Sequence, residues 1–524
     1  MSDEPQQAGP QAGARAPERL HPISWLFGII GMLKQMIAPL FAVLVLGQRD
    51  SAWALWALPV LLVLALGSAL RARAFRYEVT GRELLVREGL WDRSVRHIPL
   101  ARIQNITQRR NFLHRRLGVT ELRLESAAGG KPEAVMKVLG MAAATRLEAL
   151  LRGPASATAP ARADDAHNPG DTRAPAQDTP RLVFHMPWRE VVLLGWTSRR
   201  GQLALAAALG VVMPNEKLRL WLGQWFEGPL GALAAVFRSD LRNHAWIHLL
   251  LLTLGLLLVG LLLLRVMSVA MTVLKYHRFR LELQGERLLA SHGIGTQVRA
   301  AVRLPRLQRW VLKSTWLQRR LNRCQLGVTV AGESANAEKF ARFKDLAPLA
   351  TPAQAQALLR LCLPALDWPH LPWQPLSEAS LKRRLLGQAR WGLPLWLAGL
   401  GANAALGAPL PWAVLLVGSA LLLVAWVLHA RAWVRFAACA LDGEVMVYRS
   451  GVFTQRWVLV SCRKMQTLRL YSSGLDRRLG LQHLQADTQG GRRSARALDI
   501  PCLPADQAQT LRDLLWQRLL QPQR

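Results

Sequence analysis

The chain has 524 residues, enough for three or four domains, with 51% apolar and only 19% charged residues, against roughly 25% charged in a typical soluble chain. Its 67 lysines and arginines outnumber 34 acids, for a formal net charge of +33, so anionic lipid and nucleic acid are the partners to weigh. Five scattered cysteines (Cys324, Cys362, Cys439, Cys462 and Cys502) include no Cys-x-x-Cys pair, which argues against a disulfide framework or zinc ribbon and for inert thiols in a reducing compartment.

Residues 1–24 are rich in Pro, Gln and Ala, lack the apolar core of a signal peptide and read as disordered. Trp25–Leu46 and Trp53–Leu70 are long enough to cross a bilayer as helices. The first carries Lys34 and a kinking Pro39, and its first half also fits an interfacial helix. This pair (25–71) leads into a small domain at 72–152. Its predicted strands are Phe75–Thr80, Glu83–Glu88, Arg93–Leu100, Arg102–Gln108 and Thr120–Glu125, with one helical turn at Leu113–Leu117 and a closing amphipathic helix at 141–152. The Ala-, Pro-, Asp- and Gly-rich stretch 153–181 has no apolar period and reads as a disordered linker.

A second pair follows at 190–272. It combines a short segment around Gln202–Pro214 with the clear Trp246–Val269, and the Trp-rich, amphipathic Trp221–Phe237 between them reads as an interfacial helix. Residues 273–363 are the second domain. The third pair, within 364–430, is Trp391–Ala408 and Pro411–Leu428; Gly399, Gly401, Ala402, Ala404 and Ala405 suit close helix packing. Residues 431–524 form the third domain, and domains two and three also close with amphipathic helices, at 352–362 and 504–520.

The three domains are copies. Gly81, Gly89, Gln104 and Leu113-His114-Arg115-Arg116-Leu117-Gly118 recur as Gly285, Gly293, Gln308 and Leu317-Gln318-Arg319-Arg320-Leu321-Asn322. They recur again as Gly443, Gly451, Gln466 and Leu475-Asp476-Arg477-Arg478-Leu479-Gly480, always at spacings of 8, 15 and 9 residues. Gly118, Asn322 and Gly480 fit a left-handed helix C-cap, where Gly is best and Asn next. Many short strands with a closing helix describe an α+β barrel or half-sandwich of roughly 75 residues, large enough for a modest core and too small for a deep active site.

Paired spans return the chain to the side it left, placing all three domains and both termini on one face. Residues 71–150, 275–345 and 430–524 carry 16, 15 and 15 Lys/Arg against 8, 5 and 7 Asp/Glu, so the positive-inside rule puts that face in the cytoplasm.

The pattern of two spans, then two glycines eight residues apart, Arg102-Ile103-Gln104, Arg306-Leu307-Gln308 and Lys464-Met465-Gln466, and the three Leu-x-Arg-Arg-Leu turns, resembles the bacterial pleckstrin-homology-like family. These are the membrane-flanked domains also called bPH2 or DUF304, and the likeness is to the long members with three such domains. It covers nearly the whole chain except 153–181. It implies a seven-stranded PH-like barrel with one C-terminal helix, anchored at the bacterial inner membrane. The family has no assigned catalytic residues, so no activity carries over. Asn322 and Lys464 depart from its pattern.

Arg115, Arg116, Arg319, Arg320, Arg477 and Arg478, with Arg102, Arg306 and Lys464, are the candidate anion or partner site, since guanidinium geometry suits phosphate. The competing reading pairs them with carboxylates on neighbouring strands or sets them generically towards headgroups. Gln104, Gln308 and Gln466 read as buried amides tying strand to loop, with ligand contact as the minor alternative. Lys34 is an intramembrane charge that is either functional or snorkelling. Histidines such as His97, His114, His248 and His370 lack metal-ligand spacing, and there is no phosphate loop, nucleophile elbow or His-Glu-x-x-His.

The expected fold is a six-helix, three-pair membrane protein bearing three PH-like domains. The expected function is a non-enzymatic scaffold, without cofactor or metal, binding anionic lipid or a membrane-protein partner and not nucleic acid. The alternative is a component of transport, export or resistance to membrane-active peptides.

Overall fold

Alternating apolar residues punctuated by glycine give the chain its many short antiparallel strands. The computed structural model describes residues 18–27, 66–70, 74–152, 180–405 and 412–520, apart from breaks at 20, 22, 68–69, 81–82, 89–93, 101–102, 127–133, 199–200, 203–204, 207–209, 211–212, 214–215, 243–245, 332–342 and 489–497.

The first repeat contributes β1 (Glu18–Arg19), β2 (Arg76–Thr80), β3 (Glu83–Glu88), β4 (Ser94–Pro99), β5 (Ile103–Asn111), helical turn α1 (Phe112–Arg116), β6 (Val119–Ser126), β7 (Ala134–Gly140) and α2 (Met141–Arg152). The second opens with β8 (Arg181–His185), then α3 (Trp188–Thr197), α4 (Glu216–Arg242) and α5 (Trp246–Tyr276). It continues through β9 (Arg280–Gln284), β10 (Arg287–His292), β11 (Thr296–Arg303), β12 (Leu307–Thr315), α6 (Trp316–Arg320), β13 (Cys324–Val330), β14 (Asp345–Ala350) and α7 (Pro352–Cys362). The third is β15 (Gln374–Pro375), α8 (Ala379–Ala405), α9 (Trp412–Phe436), β16 (Ala438–Asp442), β17 (Val445–Ser450), β18 (Thr454–Ser461), β19 (Met465–Tyr471), α10 (Gly474–Arg478), β20 (Leu481–Thr488), β21 (Leu498–Pro504) and α11 (Ala505–Leu520).

Each repeat therefore has seven strands among the described residues, and its first is set apart from the other six, in the second and third repeats by the helices α3–α5 and α8–α9. β1 pairs with β2, β8 with β9 and β15 with β16. This corrects three boundaries expected from sequence. Glu18 and Arg19 lie opposite Tyr77 and Arg76 in a sheet, so the segment 1–24 contributes a strand, and the second and third repeats begin at 181 and 374 rather than 273 and 431. A two-to-five-residue strand separated from its sheet by dozens of residues leaves almost no periodic signal.

The repeats are not self-contained. The sheet orders are β1-β2-β3-β4, then β7-β6-β5-β11-β10-β9-β8, then β14-β13-β12-β18-β17-β16-β15, and finally β19-β20-β21. Each repeat splits into a four-stranded and a three-stranded sheet. The three-stranded sheet of one repeat joins the four-stranded sheet of the next, edge to edge. The two seams share one register: Thr296 lies opposite Asn111 and Thr454 opposite Thr315, the same repeat positions. Joining satisfies edge N–H and C=O groups that would otherwise need water or another chain.

The cores sit between successive sheets. Leu84, Val86 and Ile98 meet Leu122, Leu124, Met136 and Leu147 in the first. Leu281, Leu288 and Val302 meet Trp310, Leu326 and Leu346 in the second. In the third, Met446, Val458 and Val460 meet Leu484, Ile500 and Leu515. The seam strands serve two cores: Trp310 of β12 belongs to the second, while Val311, on its other face, belongs to the third.

Two of the described helices are long and apolar enough to cross a membrane, Leu250–Tyr276 and Leu415–Phe436. The expected six spans are not reached among the described residues. Trp25–Leu46 and Trp53–Leu70 lie almost wholly outside them, as does Lys34, and Gln202–Pro214 is only partly described. Of Trp391–Ala408, the described part up to Ala405 falls in α8, whose first half carries Lys382, Arg383, Arg384 and Arg390 and so begins as a polar helix. Trp221–Phe237 lies within α4.

Candidate functional site

The Leu-x-Arg-Arg-Leu turn has the same construction in all three repeats. Asn111, Thr315 and Ser473 stand at the N-cap, and the last two form reciprocal capping boxes with Gln318 and Asp476. Gly118 (φ +65°), Asn322 (+52°) and Gly480 (+66°) close the turns in the left-handed region.

The residue denoted x is the buried one: His114, Gln318 and Asp476 are 4%, 1% and 1% exposed. In each repeat it reaches the segment that follows the first strand. The His114 ring packs on Phe27 with centroids 4.1 Å apart. Gln318 Nε2 donates to Thr197 Oγ1 of α3 at 3.1 Å. Asp476 accepts from Arg383 Nε near the start of α8 and lies 3.2 Å from His483 Nε2. Burial pushes the Asp476 carboxyl up, but hydrogen bonds from Ser473 and Arg383 and the charge of His483 prevail and hold it at about 2. Further ties reinforce the junctions. Arg323 grips Glu190 of α3 at 2.8–3.0 Å, Ser380 Oγ donates to Cys502 O at 2.8 Å, and the Arg384 guanidinium lies 3.9 Å from the Trp433 ring centroid. Sequence reasoning passed over x because its identity changes; what repeats is a short side chain aimed inward from the same turn position.

The candidate anion-binding residues that the structure describes have different surroundings. The first arginine of the second pair is a seam clamp: Arg319 donates to Val452 O (2.9 Å), Ser314 O (3.2 Å) and Phe453 O (3.3 Å), and burial lowers its pKa. Arg115 is half-buried, 6.0 Å from the Phe112 ring centroid, and Arg477 is exposed. Lys464 is also spent on a seam, donating to Leu307 O at 2.6 Å, with its pKa lowered by burial. Arg306 is half-buried, and Arg102, Gly81 and Gly89 lie outside the described residues. The second arginines, Arg116, Arg320 and Arg478, are all exposed, Arg320 lying over Trp316 at 5.6 Å. Arg319→Ala is expected to cost about 2 kcal/mol, read as faster amide exchange along β12 and β18 with β5 and β11 little changed.

The recurring glutamines mark β-bulges. The ladders slip between Ile103 and Asn105, Leu307 and Arg309, and Met465 and Thr467, which are the positions of Gln104, Gln308 and Gln466. Gln308 is buried and Gln466 exposed; the side chain of Gln104 is not described. β12 has a neighbouring strand across the seam, whereas β19 ends its sheet.

At the membrane helices, α3 packs on α5 through small residues. A Cβ on Gly195 would stand 2.5 Å from Val269 Cα, and one on Gly201 2.1 Å from Leu264 O. Ser268 Oγ donates to Gly195 O at 2.8 Å, and Arg265 Nη1 to Trp196 O at 3.0 Å and Ser198 O at 3.3 Å, so the polar groups of α5 cap α3. The five cysteines are unbridged, with burial pushing each thiol up to about 11.

The family model "Bacterial PH domain" matches three times, at residues 28–155, 230–365 and 393–519. The chain is 22% identical over 363 residues to the UPF0699 transmembrane protein YdbT of Bacillus subtilis (strain 168), covering 66% of this chain and 69% of that protein. No solved structure gives a significant match. Three domain matches spaced as the repeats are, with two apolar helices beside them, lead to one assignment: the chain belongs to the bacterial PH domain family, as a membrane-associated, YdbT-like member with three copies of the domain.

Proposed function

We propose that the protein is a non-enzymatic scaffold of the bacterial inner membrane. In this reading six helices in three pairs hold the three PH-like repeats and both termini on the cytoplasmic side. Arg116, Arg320 and Arg478 engage anionic headgroups, and the joined sheets offer a surface to a membrane-protein partner. The carrying observation is the wiring of each Arg-Arg turn, through His114, Gln318 or Asp476, to the chain entering the membrane helices. That wiring keeps the exposed arginines near the bilayer surface, where each basic residue is worth about 1 kcal/mol. Arg265 and Ser268 spend their hydrogen bonds on the carbonyls of α3, which supports helix packing over a polar transport path.

The test is lipid analysis of full-length protein extracted from its own membrane. Anionic lipid is expected to be enriched over the bulk membrane. The Arg116→Ala/Arg320→Ala/Arg478→Ala triple variant should lose roughly a hundredfold in affinity for anionic vesicles. Equal lipid profiles for the triple variant and the parent would remove the headgroup role.

A further inference from the structure

The two internal seams leave the array with an unequal pair of ends. β5 and β12 are each joined by the fourth strand of the following repeat, β11 and β18. Among the described residues, their counterpart in the last repeat, β19, ends its sheet, and the counterpart of β11 and β18 in the first repeat, β4, ends the other terminal sheet. One end is thus the donor half of a seam that occurs twice within the chain, and the other is the acceptor half.

The side chains at these ends show what a neighbour would cover. Val95 on β4 is 51% exposed. Arg469 and Gln466 on β19 are exposed, whereas their counterparts in β12, Val311 and Gln308, are buried. Arg477 holds the place that the seam clamp Arg319 holds one repeat earlier, and it too is exposed.

We propose that copies of this chain associate head to tail, β19 of one pairing antiparallel with β4 of the next, in the register of the internal seams. That register sets Leu470 opposite Val95, Arg469 opposite Arg96, Leu468 opposite His97 and Thr467 opposite Ile98. Leu470, which packs on the third core, then lies beside an otherwise exposed valine. The pairing also makes one like-charge contact, Arg469 with Arg96. The second internal seam carries one as well, Lys313 opposite Arg456, so a single such contact is compatible with a formed seam. Copies in one bilayer already share orientation, and a heterologous contact of this kind closes into a ring or extends as a row.

The test uses full-length protein reconstituted in vesicles at fixed density. Single-cysteine additions Leu470→Cys and Val95→Cys, mixed from separate preparations, should give a crosslinked pair on oxidation, because directly opposed Cα atoms sit about 4.5–5.5 Å apart, within disulfide reach. Leu468→Cys mixed with Val95→Cys, two residues out of register, should give far less. Charge reversal adds a readout with a distinctive pattern. Arg469→Glu and Arg96→Glu should each tighten association about fivefold, and the double variant, which opposes two introduced carboxylates, should return to the parental level. Equal crosslinking in and out of register, no crosslinking, or charge reversals that leave association unchanged or weaken it would each overturn the proposal.

Discussion

Asp476→Ala is expected to destabilise the third repeat by about 3–5 kcal/mol, the range found when one member of a buried ion pair is removed. The carboxylate is 1% exposed and serves several partners: the Arg383 guanidinium, His483, and the Ser473 hydroxyl and backbone N–H of its capping box. Alanine leaves Arg383 with its charge three-quarters buried and removes the carboxylate half of the α10 capping box, the acceptor for the Ser473 N–H, in one step. Asp476→Asn keeps the volume and part of the cap, so it should lose less. The same group sets a pH window. Its carboxyl titrates at about 2 in the folded protein, below the roughly 3.9 of an unfolded aspartate. Its stabilisation is complete above the unfolded value and is lost as pH falls from about 4 through about 2. Amide exchange along β20 and β21, followed in parent and variant at neutral and acid pH, reads both effects. Equal protection in the two proteins at neutral pH would show that the ion pair does not hold the repeat.

The second large effect is expected at Gly451. Its φ of +110° is outside the range of side-chain-bearing residues, and a Cβ there would stand 2.0 Å from Thr454 O. Alanine must therefore open the β17–β18 hairpin. The cost combines backbone strain of about 1–3 kcal/mol with overpacking of about 1–3 kcal/mol. The hairpin also supplies the Val452 and Phe453 carbonyls that Arg319 grips, so the second seam should loosen with it. Gly293 has the same geometry, with φ +107° and a Cβ position 2.2 Å from Thr296 O. Gly443, at φ +51° with nothing within 4 Å, is the internal control: Gly443→Ala should cost only about 1–2 kcal/mol. Thermal unfolding followed by tryptophan fluorescence in detergent separates them, and equal midpoints for Gly443→Ala and Gly451→Ala would refute the steric argument.

These two residues mark where sequence reading succeeded and where it stopped. Gly451 was visible because a backbone requirement selects one residue type, which then recurs at fixed spacing with Gly293. The strands flanking it were legible for the same reason: Glu83–Glu88 and Thr120–Glu125 alternate with period two, and the structure has strands at Glu83–Glu88 and Val119–Ser126. Asp476 was invisible as a site. It occupies the position that differs between copies, and its importance lies in Arg383, 93 residues away. The arginines beside it attracted attention because they recur, yet Arg319 and Lys464 serve the seam, and it is the second arginine that is exposed in every pair.

Local physics thus set the repeat itself: its turn glycines, its left-handed caps, its strand periodicity and the apolar runs of α5 and α9 all depend on neighbours within a few residues. Non-local physics set the rest. Which edge pairs with which, that β11 joins β5 rather than closing on its own repeat, that β1, β8 and β15 reach across long intervening segments to their sheets, and that x points back at the segment that follows those strands result from satisfying edge hydrogen bonds and burying two-faced strands. Those are properties of the folded whole, and they leave no fixed spacing in the chain.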